Sequence, residues 1–236
     1  MNYRPIFIIG AGRSGTNILR DTLTSIEGWD TWPCDEINLI WRHGNRHKRD
    51  DVFGPSEARP EVVQYLRSYF ERFAARSNAK VVLEKTCANT LRIPFIESVF
   101  PEARYINLVR DGRDVALSAE KRWKASVEIK YLMRKIPYVP VTDIPHYALL
   151  FAKNRVYQIK SKEKRQAAWG PIFPEMNQWV ASRPLIEVCA KQWAYCVEQS
   201  HQTFAKIPSE RLLHLKYEDL VRAPNESIGE VLDWTE

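Results

Sequence analysis

Residues 10 to 17, GAGRSGTN, set three glycines among an arginine, two hydroxyls and an amide, directly after the apolar run Ile6 to Ile9. Gly10, Gly12 and Gly15 let backbone N–H groups turn toward one point, and a helix starting there adds the positive end of its dipole. Such a nest holds a phosphate or a sulfate, with Arg13, Ser14, Thr16 and Asn17 as side-chain donors. The nucleoside triphosphate version of the loop, G-x-x-x-x-G-K-[ST], follows its second glycine with a lysine and a magnesium-holding hydroxyl. Aligned on Gly10 and Gly15, this chain has Thr16 and Asn17 in those positions. The loop therefore predicts an anion held with neither group. A tight strand-to-helix turn that binds nothing has the same glycines, so a second anion site has to decide.

That second site is RYINLVRDGRDVALS, residues 104 to 118: an apolar strand ending at Arg110, a turn through Asp111 and Gly112, and a helix carrying Ser118. Open parallel sheets bind ligands at the carboxyl ends of their strands, where both Arg13 and Arg110 fall. Two neighbouring anion corners predict a ligand with two separate anionic groups. In TWPCDEINLIWRHGN, residues 31 to 45, Asp35 and Glu36 lie at the junction of a short strand and a helix. They either cap that helix or are placed to act as a general base. His43 is a third candidate base because its ordinary pKa lies near neutrality. Lys85, in VVLEKT, follows another apolar strand and reaches the same edge. His43 and His47 have the i, i+4 spacing of metal ligands, but H-E-x-x-H lacks its glutamate here and no third ligand is evident, so a surface pair is expected. RHGNRHKRDD reads as a solvated charged loop, and Trp123, Trp169 and Trp179 read primarily as packing residues.

These groups can act together only if the elements between them bring them to one edge. Strands are expected near Ile6 to Ile9, Thr31 to Cys34, Lys80 to Leu83, Arg104 to Val109 and Leu212 to Lys216. Helices follow at roughly Gly15 to Ile26, Pro60 to Arg76, Pro94 to Phe100 and Gly112 to Trp123. This alternation predicts an α/β fold with a parallel sheet of about five strands under helices. From Lys124 to Ala181 the strand signal vanishes among five prolines, which predicts helices and loops inserted between the last two strands. Ser182 and Pro184 then open a long helix whose Leu185, Cys189, Trp193, Cys196 and Val197 recur at core spacing. At 236 residues, 44% hydrophobic and 27% charged, the chain fits a single globular domain. No apolar run approaches the roughly 20 residues of a membrane span. The first strand starts too near Met1 for a signal peptide, and Cys34, Cys87, Cys189 and Cys196 form no C-x-x-C pair, so a reducing cytoplasm is the expected location. The net charge of +6 suits anionic ligands; no nucleic-acid partner is expected.

Taken together, GAGRSGTNIL, LVRDGRDVALS and LKYEDLVRAP resemble the sulfotransferase family, which uses 3′-phosphoadenosine 5′-phosphosulfate (PAPS). The resemblance covers roughly residues 5 to 120 and 185 to 232. It implies a P-loop-like three-layer fold and sulfuryl transfer to a hydroxyl, with the desulfonated nucleotide PAP as product and no metal. By this likeness Gly12, Arg13, Ser14, Gly15, Thr16 and Asn17 grip the 5′-phosphosulfate, and Arg110 and Ser118 the 3′-phosphate. Arg13 and Lys85 would meet charge developing between the sulfate and its leaving phosphate. Glu36 would be the base, with Asp35 its rival. Arginine at position 13 is typical of carbohydrate and protein-tyrosine types, which ranks a glycan hydroxyl ahead of a protein tyrosine or a small alcohol. The 124–181 insertion is expected to select the acceptor. The glycine-rich basic segment with which cytosolic members close over the donor has no counterpart after YEDL. The competing readings are a magnesium-dependent nucleotide kinase, disfavoured by Thr16 and Asn17, and a non-catalytic nucleotide-binding module.

Overall fold

Five short apolar strands set the architecture. Strands β1 (Arg4–Ile9), β2 (Trp29–Asp30), β3 (Val81–Glu84), β4 (Arg104–Val109) and β5 (Leu212–Lys216) form one sheet in the order β2-β3-β1-β4-β5. All its pairings are parallel. A strand covered on both faces must be apolar throughout, and in β1 Ile6, Phe7, Ile8 and Ile9 are all buried. Register is fixed by this run: Ile6 stands beside Leu83 of β3, and Ile8 beside Ile106 of β4. The chain lays β2 and β3 on one side of β1, then crosses to lay β4 and β5 on the other. The carboxyl end of β1 is therefore a switch point, where a parallel sheet opens a crevice. Residues 2–125, 133–160, 166 and 168–235 are described by the structure, a computed structural model.

Helices α1 (Thr16–Leu23), α2 (Asn38–Trp41), α3 (Pro60–Ser77), α4 (Ile93–Val99) and α5 (Gly112–Lys124) fill the connections up to and just beyond β4. Pro60 suits the first turn of α3, whose Val62, Leu66, Phe70 and Ala74 make one buried stripe, and Asn78 ends it at φ 53°. That stripe packs with Phe7, Trp32, Phe100 and Tyr105 on one sheet face. Removing one such buried ring, as in Phe70→Ala, costs about 3–5 kcal/mol. On the other face Ile6, Ile8, Leu83 and Leu108 meet Leu19, Leu23, Leu220 and Val231. The short β2 corrects the expected strand at Thr31 to Cys34. The ladder with β3 ends at Asp30, whose carboxylate takes the Thr31 N–H, and Pro33 has no N–H to continue it.

After β4 come α6 (Ile144–Lys160), α7 (Met176–Ser182) and α8 (Leu185–Phe204), and β5 leads into α9 (Tyr217–Arg222) and α10 (Pro224–Thr235). No strand occurs in the insertion among the described residues. Its attachment changes the reading of the charged loop. Buried Asp51 pairs with Arg42 and exchanges hydrogen bonds with Ile172, while buried Asp143 accepts from Arg46 and bonds His43 Nδ1 at 2.9 Å. RHGNRHKRDD is thus largely a clamp on the insertion, since carboxylates of this burial need cationic partners. Trp123 is a core residue of α5 and α8, as expected.

Candidate active site

The loop after β1 takes its shape from two left-handed residues, Arg13 at φ 75° and Gly15 at φ 88°. Only glycine fits the second, because a Cβ there would lie 2.2 Å from the Tyr217 ring. No described side chain caps α1, so the N–H groups of its first turn are open to an anion. Arg13 Nε donates to Ser118 Oγ at 3.0 Å, and Arg110 Nη1 donates to the Arg13 carbonyl at 3.2 Å. The Arg110 guanidinium lies 4.2 Å from the centre of the Tyr217 ring, and its Nε is buried with no described partner. A buried donor without a partner beside an uncapped helix start fits an anionic ligand. The two corners legible in the sequence are therefore one continuous site.

The second half of the site comes from the turns after β2 and β3. Lys85, 3% exposed, donates to Asp35 Oδ1 at 2.9 Å and to Glu36 Oε1 at 3.2 Å. Burial opposes its charge, but Glu36 and Asp35 overcome that and hold its pKa above the ordinary lysine value. Burial likewise works against Asp35, yet Lys85 and Arg20 pull its carboxyl down to about 2. Glu36 is also lowered against the effect of burial, by Lys85, by Lys135 and by the Cys87 side chain, and the Cys87 N–H donates to its Oε1 at 3.3 Å. Both carboxylates are ionised at neutral pH. Neither caps α2, which has no side-chain cap. Asp35 is held by two cations, since Arg20 Nη1 also reaches it at 2.9 Å.

One cavity of about 1580 Å³ collects these groups. Its wall includes Gly12, Arg13, Gly15, Thr16, Asn17, Asp35, Glu36, Lys85 and Arg110. Ser14 is buried off this wall, and Ser118 reaches the site through Arg13. His43 is not on the wall either, being bound to Asp143. Trp169 also lines the cavity, close enough to Gly12 that a Cβ there would stand 3.1 Å from its ring, whereas Trp179 packs near Arg183 and Lys191. Arg20, Lys135, Tyr217 and Cys87 contribute to the site without having been singled out from sequence. Arg20 was legible as the residue one helical turn past Thr16, and Tyr217 lies in the quoted LKYEDL; Cys87, 3.9 Å from the Thr16 hydroxyl, gave no signal. No group of three or more His, Cys, Asp or Glu side chains suited to a metal occurs among the described residues.

A glycine-rich loop at the switch point of a parallel sheet, joined to a second arginine corner and a lysine–carboxylate cluster, defines an α/β protein with a cationic crevice at its strand ends. Comparison with known proteins gives the class: the sulfotransferase family profile matches residues 5–136, and the chain belongs to that family. The fold is shared with the sulfotransferase domain from the curacin biosynthetic pathway, with TM-score 0.57 and 15% identity over 99% of this chain and 74% of that one. It is similar also to sulfotransferase STF9 from Mycobacterium avium, with TM-score 0.55 and 14% identity over 100% of this chain and 64% of that one. A sulfotransferase from Alicyclobacillus acidocaldarius gives TM-score 0.52 and 16% identity over 99% and 81% of the two chains. No curated protein sequence matches significantly. No described helix is long and apolar enough to cross a membrane.

Proposed function

We propose that this sulfotransferase takes PAPS as donor, holds it across the Arg13 and Arg110 corners, and uses Glu36 to deprotonate the acceptor hydroxyl. The observation that carries this reading is the Arg13–Ser118 hydrogen bond of 3.0 Å, which joins two anion corners into a site for a ligand charged at both ends. PAPS, when bound, supplies the sulfuryl group and a phosphate that leaves with the nucleotide. The open N–H groups of α1 and the Arg13 guanidinium hold one anionic end, and Arg110 holds the other. Arg13 and Lys85 set fixed positive charge where negative charge develops, and the buried Lys85 is the less screened of the two. Glu36, ionised beside Lys85, takes the hydroxyl proton. Its lowered pKa makes it a weaker base, so positioning has to supply more of the rate. Asp35, tied to both Lys85 and Arg20, is a positioning residue that aims the ammonium. The acceptor is expected in the space under the 124–181 insertion.

Thermal denaturation tests the donor assignment. PAP should raise the melting temperature at concentrations where ATP with magnesium does not; preferential stabilisation by ATP with magnesium would favour a kinase and sink this reading.

A further inference from the structure

One wall of the cavity is not used by the transfer chemistry. Helix α6 carries Ile144, Tyr147, Ala148 and Phe151 at i, i+3, i+4 and i+7, a single helical stripe, and all four line the cavity. A stripe of this kind ordinarily packs on a core. Here Ile144 is 47%, Leu150 46% and Phe151 48% exposed, and Ile136, also on the wall, is 62% exposed. The reacting groups Glu36 and Lys85 stand on the wall of the same cavity. Its volume of about 1580 Å³ exceeds the roughly 300–1,000 Å³ of a single-ligand pocket, leaving room for a large acceptor beside the donor.

The occupant that covers such a wall must be apolar along its length and must end in a hydroxyl. A sugar laid along Ile144, Ala148 and Phe151 would meet a hydrogen-bonding group of the stripe only at the Tyr147 hydroxyl, at a cost for each of its other hydroxyls desolvated there. An alkyl or fused-ring body would instead remove the stripe from water. We infer that the acceptor is a lipid-like alcohol, its hydroxyl at Glu36 and its body along α6. This inference rests on the sulfotransferase reading above, and it departs from the glycan expected from the arginine at position 13.

The test uses the full chain loaded with PAP and titrated calorimetrically with hexan-1-ol, octan-1-ol, decan-1-ol and chitobiose. Each step of two methylenes should tighten binding roughly tenfold, with chitobiose weaker than any of the alcohols. Phe151→Asp should weaken decan-1-ol at least tenfold and leave PAP stabilisation intact, while Leu149→Asp, exposed but off the cavity wall, should change neither. Transfer of label from radioactive PAPS should follow the same order. Affinity independent of chain length, or preference for chitobiose, overturns the lipid-like acceptor and leaves sulfotransfer standing. Failure of PAP itself to bind removes the underlying reading and the inference with it.

Discussion

Arg110 and Glu36 are the residues on which the proposed chemistry turns, and each has a variant that separates its role from a structural one. Arg110 already spends donors on the Arg13 carbonyl and on Asp114, yet keeps a buried Nε without a described partner. Arg110→Ala should weaken PAP far more than adenosine 5′-phosphosulfate, which lacks the 3′-phosphate. A charge-assisted hydrogen bond contributes roughly 1.5–3 kcal/mol, so the expected loss is about ten- to a hundredfold. Equal weakening of both ligands in a binding titration would mean that Arg110 only props the loop. For the base, Glu36→Gln should reduce turnover roughly a hundredfold or more while PAP affinity holds. If turnover survives there and collapses in Asp35→Asn, the proton goes to Asp35 instead.

At the scale of elements, the turn after β3 and the start of α6 each depend on one buried acid. Glu84, the last residue of β3, accepts from Thr86 Oγ1 and Asn89 Nδ2 and so shapes the turn that carries Lys85 and Cys87. Burial pushes its carboxyl up to about 7, above the 4.5 of an ordinary glutamate. The folded state therefore keeps a proton that the unfolded chain has released, and the stability this gives is lost as pH rises through about 7. Urea midpoints should fall between about pH 4.5 and 7 in the wild type, with a flatter profile in Glu84→Gln. Identical slopes would show that Glu84 does not titrate in this window. Asp143, held by His43 and Arg46, anchors the approach to α6. Asp143→Ala should raise the acceptor KM severalfold with PAP affinity unchanged; loss of PAP binding would show that the anchor serves the whole fold.

Across the whole molecule, what could be read from sequence follows from which interactions are local. The four longer strands, the glycine loop and the Arg110 turn are written in short contiguous patterns, and the structure has them within a residue or two of their expected bounds. Fusion of the loop and the Arg110 turn into one site was expected from strand ends alone. Residues that act through long-range contact were harder. The clamp of Asp51 and Asp143 on the insertion looked like solvated charge, because nothing in RHGNRHKRDD states what will lie across from it. Trp169 read primarily as packing, and only the tertiary fold sets it beside Gly12. The stripe on α6 was invisible for a different reason: its pattern is that of any amphipathic helix, and only the cavity beneath it gives it meaning.

The contact between Gly15 and Tyr217 ties this geometry to the order in which the chain is made. The ring that bounds Gly15 and stacks on Arg110 is synthesised some two hundred residues after the glycine loop. A nascent chain halted before Leu212 lacks both that ring and the edge strand β5 that carries the chain to it. The glycine loop can therefore reach its final shape only after β5 and Tyr217 have been made, and chains released before that point should fail to bind PAP even though every glycine of the loop is present.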